Sequence, residues 1–270
     1  MKLAVSNIAW DIEEQAAVLE MLRRRDVRGI ELAPTKLWPG WAGADVQSAA
    51  NWRRAFASEQ FELPSMQAIF FGRPELLILA PDPIRQEALE HIGRVANLAS
   101  AFGSRALVFG APRNRDLGHL TATEAAARAI DFFREAARIC AAHGACLCLE
   151  PLPEAYGSKF MTRWRETREL VRAVDEPGFG LMLDTGCIHL AGDDPAEAVI
   201  VCNDMIRHFH VSEPHLSGFD RTVIDHARIG EALRQIDYSG WVSIEMRRPA
   251  APLAQISEAV RRVSAWYGPF

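Results

Sequence analysis

The sequence predicts a single (β/α)8 TIM barrel with eight parallel strands, one domain over residues 1–270, and three observations carry that expectation. Short apolar segments rich in Val, Ile, Leu and Phe alternate eight times with longer stretches of helical periodicity. The 270-residue length suits one α/β barrel, which typically needs roughly 250 residues. No G-x-G-x-x-G or G-x-x-x-x-G-K-[ST] segment occurs, so the phosphate loops of doubly wound nucleotide-binding sheets are missing.

In chain order, the expected strands cover residues 3–6, 29–32, 65–70, 106–109, 146–150, 180–184, 208–211 and 242–245. The expected helices cover 13–25, 45–58, 83–102, 121–143, 164–174, 195–202, 224–236 and 254–266. Thr121 precedes Glu124 at the spacing of a capping box, and Pro83 and Pro195 follow Asp82 and Asp194 as first-turn prolines behind a capping carboxylate. Gly103, Gly144 and Gly240 stand just past helical stretches, where a left-handed turn closes a helix.

Composition narrows the function. Hydrophobic residues make up 49% and charged residues 24%, enough apolar side chain for a substantial core. The formal charge of −5 provides no basic excess to neutralise a phosphate backbone, which argues against nucleic acid. Neither an apolar leader nor a membrane-length apolar run is present, so a cytoplasmic protein with no membrane partner is expected. Cys140, Cys146, Cys148, Cys187 and Cys202 form an odd set without C-x-x-C, as in a reduced compartment where cysteine acts as a small hydrophobe.

In such barrels the active site is built at the C-terminal ends of the strands. Strand five ends on Glu150, strand six on Asp184 and strand eight on Glu245, while strand seven carries His210. Three carboxylates crowded on one rim repel each other unless a cation compensates them. Glu150, Asp184, His210 and Glu245 are therefore expected to hold one divalent metal ion. An oxygen-rich set with one imidazole suits Mn2+, Co2+ or Mg2+ and accepts Zn2+.

The segments Cys148-Leu149-Glu150-Pro151-Leu152, Leu183-Asp184-Thr185-Gly186, His208-Phe209-His210-Val211 and Gly240-Trp241-Val242-Ser243-Ile244-Glu245 resemble those of the xylose-isomerase-like barrel superfamily. The sugar isomerase and epimerase branch is the most similar. The resemblance implies a sugar-like substrate and a proton transfer next to a metal-bound carbonyl, through an enediolate. It assigns Glu150 and Glu245 to the two faces of the substrate as the catalytic pair. A dehydratase using the same site and a non-catalytic sugar-binding protein are the alternatives. A DNA-repair barrel with several metals would need more strand-end histidines and a basic face.

The chain departs from the epimerase pattern at three positions. Cys187 stands where a histidine is usual, Leu216 where an arginine is usual, with His215 beside it, and Tyr156 where a glutamate is usual. Candidate substrate contacts are Trp10, Lys36, Gln67, Arg113, Cys187, His215 and Arg247, all expected on or near the rim. Trp38 and Trp41 fit either an aromatic wall for a sugar or a homo-oligomer interface. Glu31 either orients a group at the site or is a structural buried carboxylate. His119, His143 and His226 are expected at the surface.

Overall fold

The computed structural model describes residues 1–270 and shows eight parallel strands: β1 (Lys2–Ser6), β2 (Gly29–Glu31), β3 (Ser65–Met66), β4 (Ala106–Phe109), β5 (Cys146–Leu149), β6 (Phe179–Asp184), β7 (Ile206–Val211) and β8 (Trp241–Ile244). They are hydrogen-bonded in the order β2-β1-β8-β7-β6-β5-β4-β3, and two isolated bridges, Gly29 with Glu62 and Leu32 with Met66, bring the two ends together. The result is a nearly closed (β/α)8 barrel.

Ten α-helices wrap it: α1 (Gln15–Arg24), α2 (Pro34–Leu37), α3 (Val46–Ser58), α4 (Ile84–Phe102), α5 (Ala122–Ala142), α6 (Trp164–Val174), α7 (Thr185–Leu190), α8 (Pro195–Val201), α9 (His226–Gln235) and α10 (Pro252–Tyr267). Eight match the expected helices to within a few residues. The short α2 and α7 follow β2 and β6 directly and were not expected. Each occupies one turn or slightly more, too short for a hydrophobic period to register in sequence.

Alternation along each strand sorts the side chains. Leu107, Phe109, Leu147, Leu149, Leu181, Leu183, Phe209, Val211, Val242 and Ile244 belong to the large apolar layer between barrel and helices. The interior holds only a small apolar cluster of Ala106, Val108, Cys148 and Met182. The rest of the inner face is polar: Ser6 pairs in register with Glu31, Met182 with His208, and Asp184 with His210. Polar side chains inside a barrel must find partners or a ligand there, and this asymmetry positions the site.

Helix termini follow the expected chemistry in part. Thr121 and Glu124 form the reciprocal capping box, and Asp194 accepts a hydrogen bond from the Ala196 amide. Gly103 and Gly144 take left-handed φ values of 82° and 72°. Pro83, however, lies one position before α4 and is joined to Asp82 by a cis peptide, so Asp82 does not cap that helix. Gly240 is not left-handed either; Asp237 takes that turn, with φ of 52°, and Gly240 instead leaves room for the Tyr238 ring.

Strand three is shorter than the expected 65–70. Ala68 has φ of 53°, which breaks the extended run and turns the chain outward through Phe70 and Phe71. The apolar run belongs to a rim loop, packed on its neighbours, and not to a strand.

Candidate active site and metal centre

Glu150, Asp184, His210 and Glu245 converge at the C-terminal end of β5 to β8. Glu150 and Glu245 extend the ladder past the assigned strands, their amides donating to the Phe109 and Val211 carbonyls at 3.1 and 3.0 Å. Asp184, His210 and Glu245 each offer a ligand atom within 4.8 Å of the others, as do Glu150, Asp184 and Cys187. Asp184 is the shared member.

Asp184 is completely buried, and its two oxygens differ. Oδ1 accepts from the Cys187 amide at 2.6 Å and from Ser212 Oγ at 2.8 Å. Oδ2 has no hydrogen-bond partner, although it is shut away from solvent. It lies 3.9 Å from His210 Nδ1, which is 3.2 Å from Glu245 Oε2. A buried carboxylate oxygen left bare beside an imidazole nitrogen and a second carboxylate is the arrangement a divalent cation completes. The donor set fits such an ion.

On its other nitrogen, His210 Nε2 lies 2.9 Å from Glu31 Oε2, off the line of a good hydrogen bond. Glu31 is held inside the barrel by His208 Nε2 at 2.7 Å and by Ser243 Oγ, which donates to it at 2.7 Å. Burial works against its charge, yet the His210 and His208 imidazoles outweigh this and hold its carboxyl well below the usual range. Burial likewise disfavours a charged His210, but Glu31 and Glu245 prevail and raise its proton affinity well above normal.

The opposite shift marks the other two carboxylates. Burial, then the negative charges of Asp184 and Glu245, pushes Glu150 up to about 8. Glu245 is raised by burial, with His210 opposing. Cys187 is also raised well above its ordinary value, first by burial and then by the surrounding carboxylates, so it is a thiol; it donates to Glu150 Oε1 at 3.3 Å.

Glu150 and Glu245 face a cavity of about 720 Å³ that also takes in Gln67, Arg113, Tyr156, Cys187 and Leu216. Of the expected substrate contacts, Gln67, Arg113 and Cys187 thus reach it. Four do not line it. Trp10 is buried in the layer behind the barrel. Lys36 is turned to Asp11, 2.7 Å away. His215 is exposed with its ring edge-on to Tyr156, and the exposed Arg247 guanidinium donates to the His215 carbonyl. Each has satisfied its polar or apolar needs locally.

Trp38 is buried against Phe102, and Trp41 donates through Nε1 to the Phe71 carbonyl at 2.9 Å, so both brace the rim from behind. Three further residues shape the site, and of these Ser212 and Gly110 were not singled out in the sequence. Ser212 steers Asp184, Gly110 leaves space for Glu150, and Arg115, fully buried, donates to the Glu150 carbonyl at 2.9 Å. A Cβ on Gly110 would stand 2.4 Å from Glu150 Oε2. Its only sequence signal is its place immediately after β4.

His226 is not a surface residue. It is buried between Glu213 Oε1, 2.8 Å from Nε2, and the Tyr267 hydroxyl, 2.9 Å from Nδ1. His119 is exposed and His143 half-buried.

A (β/α)8 barrel with a carboxylate and histidine cluster at the C-terminal strand ends is thereby defined. The chain belongs to the xylose isomerase-like TIM barrel family, whose family model matches residues 19–266. It is 30% identical over 118 residues to a D-psicose 3-epimerase of Ruminiclostridium cellulolyticum, a match spanning 44% of this chain and 40% of that protein. The fold superposes on a D-psicose 3-epimerase structure from Clostridium cellulolyticum H10 with a TM-score of 0.84, 18% identity and full coverage of both chains. It also superposes on a 3-keto-D-glucoside 4-epimerase of E. coli with a TM-score of 0.79, 18% identity and coverage of 98% and 99%. No helix is long and apolar enough to cross a membrane.

Proposed function

We propose that the protein is a divalent-metal-dependent isomerase or epimerase of a sugar or sugar derivative, with Glu150 and Glu245 as its acid–base pair. One observation carries the reading. Glu150 on the β5 side and Glu245 on the β8 side both face the cavity, with Asp184 and His210 on the two strands between them. Glu150, Asp184, His210 and Glu245 would hold the ion, and the bare Asp184 Oδ2 is the atom that most needs it. When bound, the cation supplies Lewis-acid stabilisation of negative charge developing on substrate oxygens.

The rest of the chemistry belongs to the chain. A carboxyl whose proton affinity lies near neutral pH both accepts and donates efficiently. Glu150 and Glu245 both face the cavity, from β5 and β8, and are placed to exchange a proton with a carbon between them. One takes the proton from one face and the other returns one to the opposite face, giving inversion. The Glu31 carboxylate stands 2.9 Å from Nε2 of His210, on the side away from Nδ1, which faces Asp184 and Glu245. Burial of Asp184 and His210 excludes water from behind the site. The names of the epimerase relatives support the same reaction class.

The test is deuterium exchange from solvent into keto-sugars, followed by NMR, in the native protein and in Glu150→Gln and Glu245→Gln. The reading expects exchange at a carbon next to the carbonyl, lost by at least about a hundredfold in each variant. Equal exchange in the variants would overturn the assignment of the pair.

A further inference from the structure

The cavity in front of the two glutamates is lined mostly by apolar side chains. Beside Glu150, Glu245, Cys187 and Tyr156, the residues Ile69, Phe70, Phe71, Pro74, Pro112 and Leu216 form much of its wall. The other polar side chains of the lining are largely committed elsewhere. Gln67 donates its amide to Ser6 Oγ, and Asn114 Nδ2 donates to the carbonyls of Arg73 at 2.7 Å and Leu76 at 2.9 Å. Arg113 is the one cation of the lining, and it is exposed.

A bare hexose carries a hydroxyl on nearly every carbon. Against this wall the hydroxyls remote from the glutamates would lose water and gain no partner, which disfavours binding. A volume of about 720 Å³ also falls within the roughly 300–1,000 Å³ of pockets that enclose drug-sized molecules, larger than one sugar ring requires.

The apolar wall is built firmly. Phe70 packs edge-on against His91 and Phe109, with centroids 5.0 and 5.1 Å away. The Phe71 carbonyl is fastened by Trp41, and Phe71, 68% exposed, lines the cavity. Together with the buried Ile69 and Phe70 of the same lining it forms a contiguous apolar surface that a ligand's apolar group would cover.

We propose that the substrate is a keto-sugar bearing an apolar substituent, such as an aryl or alkyl aglycone, with its sugar ring at Glu150 and Glu245 and the substituent against Ile69, Phe70, Phe71 and Leu216. This rests on the isomerase reading above and narrows its substrate class. The substituent stays bonded throughout, since only a proton leaves and returns at a ring carbon. A phosphorylated sugar is the poorer fit, because a dianion would meet that wall with a single exposed arginine to receive it.

Calorimetry with methyl, phenyl and octyl 3-keto-β-D-glucopyranosides on the Mn2+-loaded protein tests the wall by binding alone. The phenyl and octyl compounds are expected to bind at least about tenfold more tightly than the methyl compound, from apolar area removed from water. Phe71→Ser, at an exposed position, is expected to bring the phenyl-to-methyl ratio down to within about threefold. Equal affinities, or no binding of the phenyl compound at millimolar concentration, would overturn the proposal. Deuterium exchange on the same compounds reads the reaction separately. Tight phenyl binding without exchange supports the apolar subsite and counts against the isomerase assignment.

Discussion

Glu31 Oε2 stands 2.9 Å from His210 Nε2, on the nitrogen turned away from Asp184 and Glu245. This contact links the barrel interior to the candidate metal centre. His208 and Ser243 fix Glu31, and the Glu31 charge in turn bears on His210 from the side opposite its Nδ1. Glu31→Gln is therefore expected to weaken divalent-ion binding by roughly 10–100-fold. Titration with Mn2+ checks it, and unchanged affinity would reduce Glu31 to a structural role.

The raised proton affinity of Glu150 makes metal binding and stability pH-dependent in opposite ways. Without a cation, the folded protein keeps a proton on Glu150 up to about 8, whereas the unfolded chain releases it near the ordinary glutamate value of 4.5. Its stabilising contribution is thus complete below about 4.5 and is lost as pH rises through about 8. Metal-free protein is expected to melt at progressively lower temperature across that window. A cation must displace this proton and the one His210 holds, so affinity rises with pH, by up to about tenfold per pH unit for each proton released. Melting curves and Mn2+ titrations at several pH values measure both trends.

Gly110 is small because Glu150 occupies the space beside it. In Gly110→Ala the new Cβ would sit 2.4 Å from Glu150 Oε2, so the carboxylate must move. A displacement of about 1 Å at a reacting group costs on the order of a hundredfold in rate. Deuterium-exchange kinetics on the variant are expected to show a loss of that order, and native rates would mean that Glu150 tolerates relocation.

The pair formed by Glu213 and His226 is a stability element of the β7–α9 connection. Replacing the imidazole in His226→Leu strands a buried carboxylate, which still accepts only from the Val223 amide at 2.9 Å. Breaking a buried pair in this way costs about 3–5 kcal/mol. Urea unfolding of native and variant protein reads the difference directly.

His226 also shows where sequence reasoning stopped. Eight strands and their helices were legible because alternating and helical periods repeat with caps between them, and the rim residues were legible because Glu150, Asp184 and Glu245 each end an apolar run and His210 lies on the strand between. A lone histidine at a helix start carries no period, so its burial depended on Tyr267 and Glu213, 41 and 13 residues away in the chain. The 65–70 run looked like a strand because Met66, Ala68, Ile69 and Phe70 are apolar, but Ala68 in the left-handed region bends it into the cavity wall. Trp10 and Lys36 follow their strands as substrate contacts would, yet each found a nearer partner. For Glu31 the sequence left two roles open, and its geometry combines them: it is buried and hydrogen-bonded, and it touches His210.

The central claim is one cation held by Glu150, Asp184, His210 and Glu245 in the service of proton transfer. Its most direct test is the metal content of native protein beside Asp184→Ala/His210→Ala, both kept folded by circular dichroism, with deuterium exchange on keto-sugars measured in parallel. One divalent ion per native chain is expected, none in the double variant, and exchange only where the ion is bound. Native protein that takes up no ion at saturating Mn2+, Co2+, Mg2+ or Zn2+, or exchange that persists in the double variant, would contradict it.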